Sequence, residues 1–217
     1  TDIFVRTYDK KKEFTKSFAF RMKTDSEKKL TRNTGFYERT SKLTRNFVDA
    51  RGFWLPNDYT KHGVTNEYTA CREKAVVIDL SSLRKFEILG PDAEELMNYT
   101  LTRNIKKLSV GQIVYSAMCY ENGTMFDDGT LLRLSETGFR WVCGDEYAGE
   151  WLKEQAKKKN LKVVIKNSTD QINNLSVQGP NSRKILEKII FTPPTQPTIS
   201  ELQWFRFTIC RLEELNG

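Results

Sequence analysis

"QIVYSAMCYENGTMFDDGTLLRL", residues 112–134, is the stretch that decides the fold. Two apolar runs flank Asn122-Gly123, a dipeptide that accepts the positive φ angles of a tight turn, so the stretch predicts a β-hairpin. Inside its second strand stand two adjacent aspartates, Asp127 and Asp128, followed by Gly129. Aspartate is depleted in strands, and neighbouring carboxylates repel unless a donor, a ligand or water takes up the charge. Alternation offers one resolution: successive strand residues point to opposite faces, so the two carboxylates need not share a site. Gly129 then admits a second backbone or a ligand at close range. Two readings of the corner stand side by side, a site of chemistry or a pair of caps on a twisted hairpin.

Working outward, "KFEILG" reads as a strand broken by Gly90-Pro91, and "DAEELMNYTLT" as a helix with Asp92 near its N-terminus, where a carboxylate suits the dipole. After the hairpin, "GFRWVCG" is a strand and "EYAGEWLKEQAKKK" a helix with its basic end at the C-terminus. "LKVVIKNST" and "NNLSVQG" are strands, and "PNSRKILEKI" begins a helix with proline in its first turn. Strand, helix, two strands, helix and strand is the order of a ferredoxin-like split βαβ module, expected over residues 80–180 of an α+β chain. Residues 33–79 are expected to form the N-terminal part of a first domain. It holds a capped amphipathic segment, "NTGFYERTSKLTRNF", helical spacing in "VTNEYTACREKA" and a buried strand in "AVVIDLS". "TPPTQPT" reads as a rigid linker within residues 181–217, which return to that first domain.

Composition narrows the class. Hydrophobic residues make up 38% of the 217-residue chain, enough for a globular core. The longest apolar runs are far shorter than a membrane span, and the first residues lack the apolar centre of a secretory signal. Cys71, Cys119, Cys143 and Cys210 form no C-x-x-C pair, which argues against a disulfide framework or a zinc site and favours the reducing cytoplasm. His62 is the single histidine, so a cluster of histidine metal ligands is excluded. The net charge of +7 sits wholly in residues 1–45, with 13 Lys/Arg against 6 Asp/Glu, while the remainder holds 22 of each. Residues 1–32 therefore read as a basic extension, a solvated leader rather than a nucleic-acid arm. The chain starts at Thr1 and stops in "CRLEELNG", where a turn leads toward another strand, so a longer protein is expected.

Other motifs carry less. "GPD" and "QGPN" join strands to helices without the spacing of a phosphate loop. "LSSLR" has serines but no base beside them. Trp54, Trp141, Trp151 and Trp204 read as core, although an aromatic wall also suits a flat heterocycle.

Several stretches in order, "FYERTSKL", "EYTACREKAVVIDLSSLRKFEILGPDAEELMN", "GQIVYSAMCYENGTMFDDGTLLRL" and "LSVQGPNSRKIL", make the chain resemble the folate-binding aminomethyltransferases. These are the glycine-cleavage T-protein and its relatives. "DLSSL" with "FDDG" is closer in flavour to the folate domains of sarcosine oxidase and dimethylglycine dehydrogenase. The resemblance implies a T-protein-like folate-binding fold whose C-terminal β-rich domain lies outside this stretch of chain. It implies tetrahydrofolate as cofactor, no metal, and one-carbon transfer from a small methylated amine or an aminomethyl donor. A lipoyl carrier protein or a flavoprotein is the partner that the family brings with it. The family's essential aspartate, the second of the pair, falls on Asp128, beside the reactive folate nitrogens, where a carboxylate supplies preorganised charge. Tyr115 matches a folate-contacting tyrosine, and Leu83 and Thr130 fall at pterin-lining positions. Where the family has the asparagine of "VVNA", this chain has "WVCG", which puts Cys143 at a cofactor-binding position. The alternative is a non-catalytic folate-binding or scaffold relative that recruits partners through its basic N-terminus.

Overall fold

A computed structural model of the chain describes residues 31–212. All but the last two residues of the expected basic extension, 1–32, lie outside the described residues. In chain order the strands are β1 (Arg32–Asn33), β2 (Phe47–Ala50), β3 (Phe53–Pro56), β4 (Val76–Asp79), β5 (Arg84–Leu89) and β6 (Ile113–Cys119). They continue with β7 (Met125–Ser135), β8 (Gly138–Cys143), β9 (Val164–Asn167), β10 (Leu175–Gln178), β11 (Ile190–Phe191) and β12 (Arg211–Leu212). The α-helices are α1 (Tyr37–Leu43), α2 (Gly63–Glu73), α3 (Ala93–Thr100), α4 (Tyr147–Lys158) and α5 (Ser182–Leu186). Residues 31–82 with Asn173–Ser182 form one compact unit, and Leu83–Ile172 with residues 183–212 form the other.

The chain is α+β, and its larger unit is built on a sheet in the order β6-β7-β8-β5-β9, with every neighbour antiparallel. One face of that sheet is apolar and carries the two amphipathic helices. Leu96 and Met97 of α3 and Trp151 and Leu152 of α4 bury themselves with Phe86, Ile88, Leu131, Phe139 and Trp141. Phe86, Trp141 and Leu131 lie in register across three strands. Each such side chain contributes about 1.5–3 kcal/mol by leaving water. Asp92, ahead of α3, accepts the Lys162 N–H at 2.6 Å and so ties the helix start to the segment before β9. Arg133, buried on the helix side of β7, reaches Glu94 of α3 at 2.6 Å and the Leu108 carbonyl at 2.9 Å.

This is the ferredoxin-like split βαβ arrangement with one strand more than the expected order. Three strands, not two, separate the helices, because residues 113–143 turn twice, once at Asn122-Gly123 and again between Ser135 and Gly138. The boundary expected at residue 180 also differs. The last strand of the sheet is β9, while β10 pairs with β4 in the smaller unit, Val177 opposite Val77 and Leu175 opposite Asp79. Residues 183–212 belong to the larger unit rather than returning to the first domain. Edge strand β6 offers unpaired backbone groups, and residues 205–207 take them. Ile113 N–H donates to the Phe205 carbonyl at 2.8 Å, and Phe207 N–H to that of Gly111 at 3.1 Å.

The smaller unit holds the three-stranded sheet β1-β3-β2 and the β10-β4 pair. Its expected capped helix begins later than the sequence suggests. Asn33 lies in β1, and the buried Thr34 hydroxyl donates to Asp79 at 2.6 Å while its oxygen accepts the N–H of Phe36, the residue before α1, at 3.3 Å. Within the segment Phe47 is buried but Leu43 is exposed. Among the described residues, no helix is long and apolar enough to cross a membrane.

Candidate functional site

The hairpin turns as its dipeptide requires. Gly123 takes φ +83, the Asn122 side chain accepts the Thr124 N–H at 3.0 Å, and Tyr120 N–H reaches the Thr124 carbonyl at 2.9 Å. Beyond the turn comes a feature that sequence periodicity does not signal. Cys119 stands opposite Met125 and Met118 opposite Asp127, leaving Phe126 as an extra residue. Such a bulge re-aims the residues after it. Phe126 packs on Trp151 with ring centroids 5.7 Å apart, and the two aspartates follow.

Asp127 is buried, and its carboxylate accepts three backbone N–H groups. Oδ1 accepts the Asp128 N–H at 2.9 Å and the Gly144 N–H at 3.4 Å, while Oδ2 accepts the Asp145 N–H at 3.0 Å. The β7–β8 ladder ends at Gly129 opposite Cys143, two residues short of Asp127. Beyond that point the side chain of Asp127 replaces the missing strand partner.

Asp128 takes the opposite face, away from the helices, and is exposed. It stands across from Ala117, whose small side chain leaves room, and the Tyr115 hydroxyl donates a hydrogen bond to its Oδ2. That bond is the leading cause of a raised Tyr115 pKa, so the phenol remains a donor through the neutral range. Thr130 stands opposite Tyr115 on the same face. Val142 and Lys85 continue that row across β8 and β5.

Leu83 completes the surface. It lies just before β5, two residues ahead of Lys85. The Leu83 carbonyl accepts Lys85 Nζ at 2.8 Å, which fixes that rim. A flat bicyclic ring with N–H donors suits a face that offers the Asp128 carboxylate, the Tyr115 ring and the Thr130 hydroxyl. The residues present therefore fit a pteridine.

Leu83, Tyr115, Asp128 and Thr130 thus share one face; Cys143 does not. Its neighbours in register are Gly129 and Arg84, so alternation turns its side chain to the helix-covered side, where it is buried. Burial pushes its thiol far up, the Asp127 charge adds to this, and Sγ lies 3.5 Å from the Asp145 carbonyl. It is a packing residue. Sequence reasoning missed the part of its neighbour Gly144, whose N–H is given to the Asp127 carboxylate.

Gly129 serves the backbone rather than a ligand. A Cβ there would run into the Val142 carbonyl oxygen and lie 3.0 Å from the Trp141 ring. Gly129→Ala is expected to lower stability by about 1–3 kcal/mol, the cost of overpacking, although alanine is the better strand former. Urea unfolding checks this, and an unchanged midpoint would show that β8 can shift away.

Residues 36–215 match the family model described as the GCVT N-terminal domain. Over its whole length the chain is 51% identical to a trimethylamine-oxide aldolase of Ruegeria pomeroyi, covering 28% of that protein. An aminomethyltransferase of Symbiobacterium thermophilum is 33% identical over 80% of the chain and 46% of its own length. Among solved structures, the glycine cleavage system aminomethyltransferase T from Bartonella henselae superposes with a TM-score of 0.67 at 26% identity. That match covers 81% of this chain and 46% of the other. The chain spans less than half the length of each of these relatives.

Proposed function

Because the chain belongs to the GCVT N-terminal domain family, the folate-binding aminomethyltransferases, we propose that it serves one-carbon transfer from a small methylated amine to tetrahydrofolate. The observation that carries this reading is the Asp128–Tyr115 pair on the open face of the sheet. Tetrahydrofolate, when bound, supplies nucleophilic ring and bridge nitrogens that accept a one-carbon unit. Asp128 accepts hydrogen bonds from ring N–H groups and holds a negative charge where positive charge develops on nitrogen. Tyr115 fixes one oxygen of that carboxylate and leaves the other for the ligand. Leu83 and Thr130 flank the ring.

The donor is a methylated amine or its N-oxide rather than a lipoyl-carried aminomethyl group. Similarity to a trimethylamine-oxide aldolase over the whole of this chain supports that choice. A reducing cytoplasm suits both the cofactor and four free cysteines. Incubating the protein with tetrahydrofolate and a panel of methylated amines and N-oxides should yield a one-carbon-substituted folate. Folate binding without turnover on any donor would instead favour the non-catalytic relative.

Tyr115→Phe separates binding from chemistry. Losing a hydroxyl that orders Asp128 should raise the tetrahydrofolate dissociation constant by about tenfold, the scale of one hydrogen bond to a charged group. Turnover at saturation should change little. Because the hydroxyl acts on Asp128, combining Tyr115→Phe with Asp128→Asn should cost less than the sum of the single changes. Additive effects in calorimetric titrations would uncouple the two.

A further inference from the structure

Away from Asp128, at the other end of β7, the larger unit holds a cavity of about 430 Å³, within the range that small-molecule sites occupy. Leu134, in its wall, lies six residues along β7 from Asp128, about 20 Å at the rise of a strand. Val110, Leu202, Phe207 and Ile209 join Leu134 to make most of the lining apolar. The loop that forms the rest of the wall is firmly tied. Arg183 of α5 donates to the carbonyls of Ile199, Ser200 and Leu202, the last two at 3.1 Å. Residues 205–207 lie along the β6 edge, where Phe205 turns with a φ of +52, uncommon for an aromatic residue. Gln196 accepts the Ile209 N–H at 3.4 Å and draws the two ends of the loop together.

Arg206 gives this cavity its chemistry. Its Nη1 donates to Ser109 Oγ at 2.7 Å, and Gln112 in turn holds the Ser109 hydroxyl at 3.3 Å and N–H at 3.1 Å. That anchor uses one of the five donors of the guanidinium, which pairs with no carboxylate among the described residues. Glu201, the acid in the lining, is turned into its own loop by the Thr198 N–H at 3.0 Å and hydroxyl at 2.8 Å. Those bonds hold its pKa below the ordinary carboxylate value, so it stays committed to the loop. An anchored arginine in an apolar enclosure suits a carboxylate carried on an apolar body. The planar fork matches the anion, and the walls take up the rest. A free phosphate would leave those walls unfilled.

We propose that this cavity is a second ligand site, separate from the Asp128 face, and that it takes a small apolar monocarboxylate with its anion on Arg206. The site does not depend on what binds at Asp128.

Phenylacetate, its neutral amide and inorganic phosphate, titrated calorimetrically into the whole chain, test this. Phenylacetate should bind, and phenylacetamide should bind at least about tenfold more weakly, the scale of one hydrogen bond to a charged group. Phosphate should give no binding heat. Arg206→Gln should bring the acid down to the level of the amide. Arg206→Lys, which keeps the charge, should recover part of the preference and guards against a folding defect in the first variant. In amide chemical-shift mapping, phenylacetate should move Gly111, Gln203 and Phe207 and leave Tyr115 and Asp128 in place. Saturating tetrahydrofolate should not change the affinity for phenylacetate. The proposal is overturned by no binding of phenylacetate at millimolar concentration, by equal binding of acid and amide, or by a preference that survives Arg206→Gln. Phosphate binding ahead of phenylacetate would overturn the ligand class. Displacement of phenylacetate by tetrahydrofolate would show that the cavity is no separate site.

Discussion

Asp128→Asn is expected to lower turnover roughly a hundredfold or more, the scale of losing one preorganised electrostatic group, while tetrahydrofolate binding weakens far less. Asparagine keeps the size of the side chain and an oxygen that can still accept the Tyr115 hydroxyl. What it loses is the negative charge. The residue is exposed on the sheet face and pairs with no cation among the described residues; its one side-chain partner there is the Tyr115 hydroxyl. Steady-state kinetics with tetrahydrofolate and an active methylated donor provide the check. Turnover equal to that of the unaltered enzyme would remove the catalytic role and leave the aspartate as a hairpin cap.

The adjacent carboxylate should behave in the opposite way. Asp127→Asn is expected to cost about 3 kcal/mol of stability, because buried donors lose a charged acceptor. One amide oxygen cannot serve the N–H groups of Asp128, Gly144 and Asp145 together. The amide nitrogen would be turned against a donor on one side or the other. For a chain of this size such a loss lowers Tm by about 6–12 °C. Turnover per folded molecule should fall only modestly, since the carboxylate faces the helix side of the sheet. Equal losses of turnover from both substitutions, with melting unchanged, would mean that the two aspartates act as a pair.

Much of this arrangement is legible before any coordinates. The Asn122-Gly123 turn, the helices around Leu96 and Leu152, and the opposite facing of Asp127 and Asp128 follow from local rules of turn chemistry and periodicity. What escapes is what long-range pairing decides. Nothing local says that Leu175–Gln178 will pair with Val76–Asp79 rather than join the larger sheet, since the same alternating pattern suits either partner. Nor does it say that residues 205–207 will cover the β6 edge. The face of Cys143 depended on its register with Gly129 and Arg84, and a shift of one residue would have reversed it. The bulge at Phe126 is of the same kind: it appears only when both strands of the hairpin are seen together.

Amide chemical-shift mapping with tetrahydrofolate asks most directly whether the open face of the sheet is the folate site. Titrating the isotopically labelled protein should move the amides of Tyr115, Asp128, Thr130 and Gly144, while those of Ala93–Thr100 on the helix side stay in place. Shifts confined to the helix side, or none at millimolar ligand, would contradict the assignment.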